Sequence, residues 1–204
     1  MKLNRPIKII LIGMMVGLAL AAAYTFFQPR LYAATARVLV TQTAASGLDP
    51  YTAIKTSERV GASLSQLINT STFMKTALAR AQGFSEYDFF YRPKTDAPAD
   101  DAGRLAIWNA AVSAKTVTDT GILKITVFHP ACDQAKILAG AVAQQLVDQA
   151  PGYFGPGVRA QLVDEPLCSS GPVKPNFLKN LAAGALFGLL FSGILLLSKP
   201  RSGA

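Results

Sequence analysis

The stretch IILIGMMVGLALAAAYTFFQ at residues 9–28 holds no charged side chain, and NLAAGALFGLLFSGILLLS at residues 180–198 repeats that character near the other end of the 204-residue chain. At ~1.5 Å per residue, a helix of either length reaches about 30 Å, the thickness of a bilayer's hydrocarbon core. Each is expected to cross a membrane once. What lies between, residues 29–179, is expected to form one domain outside the bilayer and a connector back to it.

Lys2, Arg5 and Lys8 precede the first span, Lys199 and Arg201 follow the second, and neither tail carries an acid. Lys and Arg close to a span favour the cytoplasmic side. The tails, residues 1–8 and 199–204, are therefore expected in the cytoplasm, with the domain on the periplasmic or extracellular side of an inner (plasma) membrane. Of 20 basic residues five sit in the tails, so fifteen face twelve acids elsewhere and the net charge of +8 falls there to +3. Arg59, Lys75, Arg80, Lys115, Lys124 and Lys136 are scattered, without the clustered cations and interleaved aromatics of a nucleic-acid surface. Nucleic acid is not an expected partner; membrane lipid is.

Ala21-Ala22-Ala23 offers small residues of the kind found at signal-peptide cleavage sites, but the apolar run continues through Phe26 and Phe27. An uncleaved anchor is the better reading. Gly13-x-x-x-Gly17 and Gly184-x-x-x-Gly188 each place two small residues on one helix face, a spacing that allows helix pairing or oligomer contact in lipid.

Between the anchors, residues 32–42 are rich in β-branched side chains and read as a strand. A turn at residues 47–50 precedes a helix over 51–68, in which Ser57, Val60, Gly61, Leu64, Leu67 and Ile68 share a face. Ser71 or Thr72 is expected to cap a second helix, with Phe73, Met74, Ala77 and Leu78 as its apolar side. Residues 83–103, with Pro93, Pro98, Asp96, Asp100 and Asp101, read as a loop containing an aromatic piece at 84–91. The acids lack the ligand spacing of a calcium loop. A short helix is expected over 104–109, with Trp108 as a core or membrane-facing anchor.

Two apolar runs, residues 112–117 and 122–128, flank Thr118-Asp-Thr-Gly121 and predict a hairpin. Asp133 is expected to cap a helix carrying Ala135, Leu138, Val142 and Leu146 on one face. The Pro/Gly-rich residues 151–157 should end it, before a last strand at 158–164. This order gives an α+β domain, an α/β layer pair resembling a sandwich with helices on one side of the sheet, over residues 29–165. Residues 166–179 hold Pro166, Pro172 and Pro175 and read as a semi-rigid connector.

The pattern offers no catalyst. His129 is the only histidine, and its place beside Pro130 reads as a surface turn. Neither a phosphate-binding Gly-Lys-[Ser/Thr] nor a Gly-x-Ser-x-Gly elbow occurs. No cofactor or metal site is expected, since Cys132 and Cys168 lack further soft ligands. Both fall where disulfides persist, but sequence leaves open whether their Cα atoms come within bonding distance.

Four segments together resemble the chain-length determinant family, the polysaccharide co-polymerases or Wzz-type proteins, which includes membrane adaptors of bacterial tyrosine kinases. They are Tyr32-x-Ala-x-Ala-x-Val-Leu-Val, Thr120-Gly-Ile-Leu-Lys-Ile-Thr-Val127, Pro130 with the helix through Ala135, and Pro166 to Asn176 leading into a Gly-rich span. Pro172-Val-Lys-Pro-Asn176 is the most specific, being similar to the family's proline-rich signature before the second span. The resemblance implies a non-enzymatic homo-oligomer that sets the length, or supports the export, of exopolysaccharide, capsule or O-antigen beside a polymerase or exporter. Only residues 151–157 stand where long members insert a helical hairpin, so a compact form is expected. His129 replaces the family's usual acid before the proline. The alternatives are an adaptor for a separate tyrosine kinase, which residues 199–204 would serve poorly, and an extracytoplasmic enzyme using His129 or the aspartates around Asp100.

Overall fold

A computed structural model describes residues 5–42, 50–90 and 100–198. The turn expected at residues 47–49, the loop residues Tyr91, Pro93, Asp96 and Pro98, and the tail residues Lys2, Lys199 and Arg201 lie outside the described residues. In chain order the elements are α1 (Arg5–Phe27), β1 (Tyr32–Gln42), α2 (Pro50–Leu67), α3 (Ser71–Arg80), α4 (Glu86–Phe90), α5 (Asp101–Ala111), β2 (Val112–Thr116), β3 (Ile122–His129), α6 (Cys132–Phe154), β4 (Val158–Cys168) and α7 (Phe177–Ser198). They divide into two units, α1 with α7 and everything within Leu31–Pro172.

The central unit is α+β. Its antiparallel sheet runs in the order β2-β3-β1-β4, so the hairpin lies on one side of β1 and the last strand on the other. Strand side chains alternate between faces. Ala34, Ala36, Val38 and Val40 of β1 and Leu123, Ile125 and Val127 of β3 therefore bury together. Onto that face pack Leu138, Val142 and Leu146 of α6, Leu64 near the end of α2 with Ile68 just past it, and Phe73, Met74, Ala77 and Leu78 of α3. Helical residues three and four apart share a side, which is how these periodic positions reach one core.

The hairpin turn forms from the expected residues. Asp119 (φ 60°) and Gly121 (φ 65°) adopt left-handed backbone, and Thr120 Oγ1 donates to Val117 O at 2.9 Å. Gly121 has a second reason to lack a side chain, because a Cβ there would lie 2.9 Å from the carbonyl oxygen of Val40.

Several boundaries differ from expectation. Thr70, one residue before Ser71 and Thr72, caps α3 by accepting from the Phe73 amide at 3.3 Å. Helix α5 begins three residues earlier than expected because Asp100 accepts from Gly103 N at 3.2 Å, giving one loop acid a capping role. Helix α6 starts after Ala131 without a side-chain cap, and Asp133 lies inside the first turn, where a carboxylate suits the positive helix end. At its other end α6 continues through Pro151 to Phe154 and closes at Gly155, whose φ of 85° L side chains avoid.

Strand β4 runs on to Cys168, past the expected end at 164. Its register against β1 shifts between Thr35 and Arg37 and again before Val38. Pro166 lies within that irregular stretch of an edge strand, where a missing N–H costs no ladder bond. The connector therefore begins after Cys168, three residues later than its prolines suggested.

His129 is not a surface turn residue. It continues the inward parity of Leu123, Ile125 and Val127 and is buried. Its ring stacks on Phe89 at 6.2 Å and meets Phe84 edge-on at 5.9 Å, while Nδ1 accepts from the Ala131 amide at 3.0 Å. Trp108 is wholly buried beside the same cluster and its indole N–H donates to Ile68 O at 2.8 Å. It is a core residue of the central unit.

Candidate functional site: the terminal helix pair and the strap leading to it

Helices α1 and α7 contain, over Ile7–Phe27 and Phe177–Leu196, segments long and apolar enough to cross a membrane. They pack on each other through the two glycine motifs. A Cβ placed on Gly13 would lie 2.7 Å from Ser192 Cβ and 2.9 Å from the Gly188 carbonyl oxygen. One on Gly17 would run into the Gly184 carbonyl, and one on Gly188 into the Gly13 carbonyl. The four glycines are thus the contact line between two helices of one chain, where backbone meets backbone.

Polar side chains accompany that line. Ser192 Oγ, buried against Gly13, donates back to the carbonyls of Gly188 (2.8 Å) and Leu189 (2.9 Å). Thr25 Oγ1 donates to Ala21 O at 2.7 Å and accepts from Asn180 Nδ2 at 3.0 Å, a hydrogen bond from one helix to the other. In a medium without water such groups need partners within the protein, and all three side chains have them. The sequence reading missed Thr25, Asn180 and Ser192. Their signal was their polarity within otherwise apolar runs.

Asn176, in the proline-rich motif, has a definite local role. Its Oδ1 accepts from the Lys179 amide at 3.1 Å and its carbonyl from Asn180 N at 3.1 Å, so it caps α7. Pro175 stands just before it, after a cis Lys174–Pro175 bond. At the other end of the connector, Ser169 is stitched to β1: its amide donates to Ala33 O at 2.8 Å and its hydroxyl accepts from Ala33 N at 3.2 Å. The same hydroxyl donates to Gly171 O at 2.7 Å, one residue before Pro172. Pro166 packs on α6, its Cγ 3.5 Å from where a Gly140 side chain would start.

Cys132, opening α6, and Cys168, closing β4, are joined in the structure, with Cα atoms 6.0 Å apart. The sequence reading expects both outside the cytoplasm but does not bring them together; the antiparallel return of β4 along β1 does so.

Electrostatics adds local ties. Lys55 is held above its ordinary pKa, first by a 2.6 Å hydrogen bond to Asp119 and then by Glu58 at 3.1 Å, linking α2 to the hairpin turn. Asp101 is held below the usual carboxylate range by Lys75, linking α5 to α3. These are exposed pairs that position elements. Asp100 serves as a cap and Asp101 as an ion-pair partner, and no trio of metal-ligating side chains gathers among the described residues. His129 lies in the aromatic core, apart from those acids in role.

In chain order a small α+β unit stands between two helices long and apolar enough to cross a membrane. Residues 1–79, covering α1, β1, α2 and most of α3, are similar to the family Wzz, Chain length determinant protein. No curated protein matches the chain. The connector and α7 lie beyond the matched residues.

Proposed function

We propose that the protein is a non-enzymatic, two-pass membrane protein of surface polysaccharide biosynthesis. It regulates chain length or export as a homo-oligomeric scaffold, beside a polymerase or exporter. The observation that carries this reading is the match of residues 1–79 to the chain length determinant family. Two apolar helices bracketing the α+β unit support the two-pass arrangement. The cations Lys2, Arg5, Lys8, Lys199 and Arg201 support a topology with cytoplasmic tails and with residues 29–165 on the opposite side of the membrane.

In this role the domain makes and breaks no bonds. Its part is shape: neighbouring copies present a repeated surface, and the helix pair anchors each copy at a fixed place. The Cys132–Cys168 bond, formed in an oxidising compartment, stiffens the junction of β4 and α6 just before the strap to α7. Deletion of the gene should shift the length distribution of the cell's surface polymer or remove the polymer from the surface, read on a gel of extracted polysaccharide. Polymer unchanged in both amount and length would refute the proposal.

A further inference from the structure

Helices cover one face of the sheet; the other carries a pattern that sequence order hides. Directly paired residues on neighbouring strands share a face. The register sets Lys115 of β2 opposite Lys124 of β3, Lys124 opposite Arg37 of β1, and Arg37 opposite Asp164 of β4. One row across all four strands thus holds three adjacent cations with a single acid at its end. Lys115, Lys124 and Arg37 are exposed. Arg37 pairs with Asp164, whereas neither Lys115 nor Lys124 makes an ion pair among the described residues. Like charges directly opposite on adjacent strands, about 5 Å apart at Cβ, oppose folding. The packing of the domain gives no return for this row.

The flanking rows lie two residues along the strands, ~7 Å away. On one side Ser113, Thr126 and Thr35 form a hydroxyl row, with the Thr35 and Thr126 oxygens 3.5 Å apart. On the other side Ile122 and Leu39 form a short apolar row that ends at Gln161. Hydroxyls for sugar hydroxyls, apolar side chains for ring C–H faces and ammonium groups for carboxylates stand side by side on one open surface.

We propose that this face binds an acidic polysaccharide, with the polymer's carboxylates on the Lys115–Lys124–Arg37 row; the inference rests on the function proposed above. Charge complementarity selects the occupant. A neutral glycan leaves the lysines uncompensated, and a second copy docked face to face brings cations against cations.

The test uses the full chain in a neutral detergent, titrated with polygalacturonate and with dextran as the uncharged control. Polygalacturonate should bind, dextran should not, and affinity should fall about tenfold in the K115Q/K124Q variant and also with added salt. The variant should melt no lower than the wild type, since its substitutions relieve repulsion. Equal binding by variant and wild type, binding of dextran, or no binding of polygalacturonate overturns the proposal. So does lysine-dependent binding of phosphatidylglycerol vesicles without binding of polygalacturonate, which assigns the row to lipid. The two readings fail separately. Polymer altered by gene deletion without polygalacturonate binding removes this inference alone, whereas polymer unaffected by deletion removes the function on which it rests.

Discussion

Trp108, Phe89, Met74 and Leu138 fill the central core with bulk, whereas α1 and α7 meet where side chains are missing, at Gly13, Gly17, Gly184 and Gly188. The contrast fits the surroundings proposed for each. In water, burying apolar area is the driving force, and large side chains supply the most of it. Among lipid tails apolar area has nothing to gain, so two helices associate through close backbone contact and a few hydrogen bonds such as Asn180 to Thr25. Removing atoms should therefore damage the domain, and adding them should damage the helix pair.

The largest effect is expected at Trp108. Trp108→Ala opens a cavity and leaves the Ile68 carbonyl without its indole donor, destabilising the domain by about 3–5 kcal/mol. Trp108→Phe retains much of the volume and isolates the hydrogen bond, at about 1–3 kcal/mol. Thermal unfolding of the detergent-solubilised chain, followed by circular dichroism, measures both. A phenylalanine variant as unstable as the alanine variant would place the whole effect in the hydrogen bond, contrary to a core held by bulk.

Next comes the opposite change in the helix pair. Gly188→Val puts side-chain atoms onto the Gly13 carbonyl and within about contact distance of Met14 Cα, which backbone cannot vacate, and should cost about 1–3 kcal/mol or separate the helices. Gly193→Ala is the control, since a Cβ at that position meets nothing within 4 Å. If both glycine variants melt alike, close approach is not what holds α1 to α7.

The caps sharpen the comparison, because each region has one of the same kind. Thr70→Ala removes the acceptor for the Phe73 amide and Asn176→Ala the acceptor for the Lys179 amide, each worth about 1 kcal/mol. Amide hydrogen exchange should speed up at Phe73 in the first variant and at Lys179 in the second, without crossing over. Faster exchange throughout α7 in the Thr70→Ala variant would show that the two regions do not unfold independently.

These contrasts also explain what the sequence revealed. Its β-branched content made β1 legible, and the Asp119–Gly121 turn between two apolar runs made the β2–β3 hairpin legible, because both are local signals. The two apolar ends announced themselves by composition alone. The α3 cap was misplaced because Thr70, Ser71 and Thr72 are chemically equivalent, and the choice depends on where α2 releases the chain. His129 was taken for a turn residue because Pro130 follows it, although the inward parity begun at Leu123 already placed it inside. Pro166 looked like the end of β4, since only pairing with β1 shows that the strand passes a proline at an irregular edge. The Cys132–Cys168 approach and the Lys115–Lys124–Arg37 row depend on strand register, a relation between distant residues that no local pattern encodes.

The smallest expected effect is a matter of charge, which again divides the regions. Lys75 lies 2.6 Å from Asp101 and lowers the carboxyl's pKa in the folded state, first by hydrogen bonding and then by Coulomb attraction. A carboxyl whose folded pKa is depressed adds stability above its ordinary unfolded pKa of 3.8, and that contribution disappears as pH falls through the folded value. Both side chains are more than half exposed, so the contribution is small and screened by salt. Asp101→Asn should therefore melt slightly below the wild type near neutral pH, and the gap should close as acidification carries the pH below the depressed folded pKa, and in high salt. An equal gap at both pH values would mean that Asp101 acts through helix-end geometry and not through Lys75. Residues 9–28 and 180–198 contain no ionisable acid or base apart from Tyr24, so the helix pair itself should show no counterpart to this acid window.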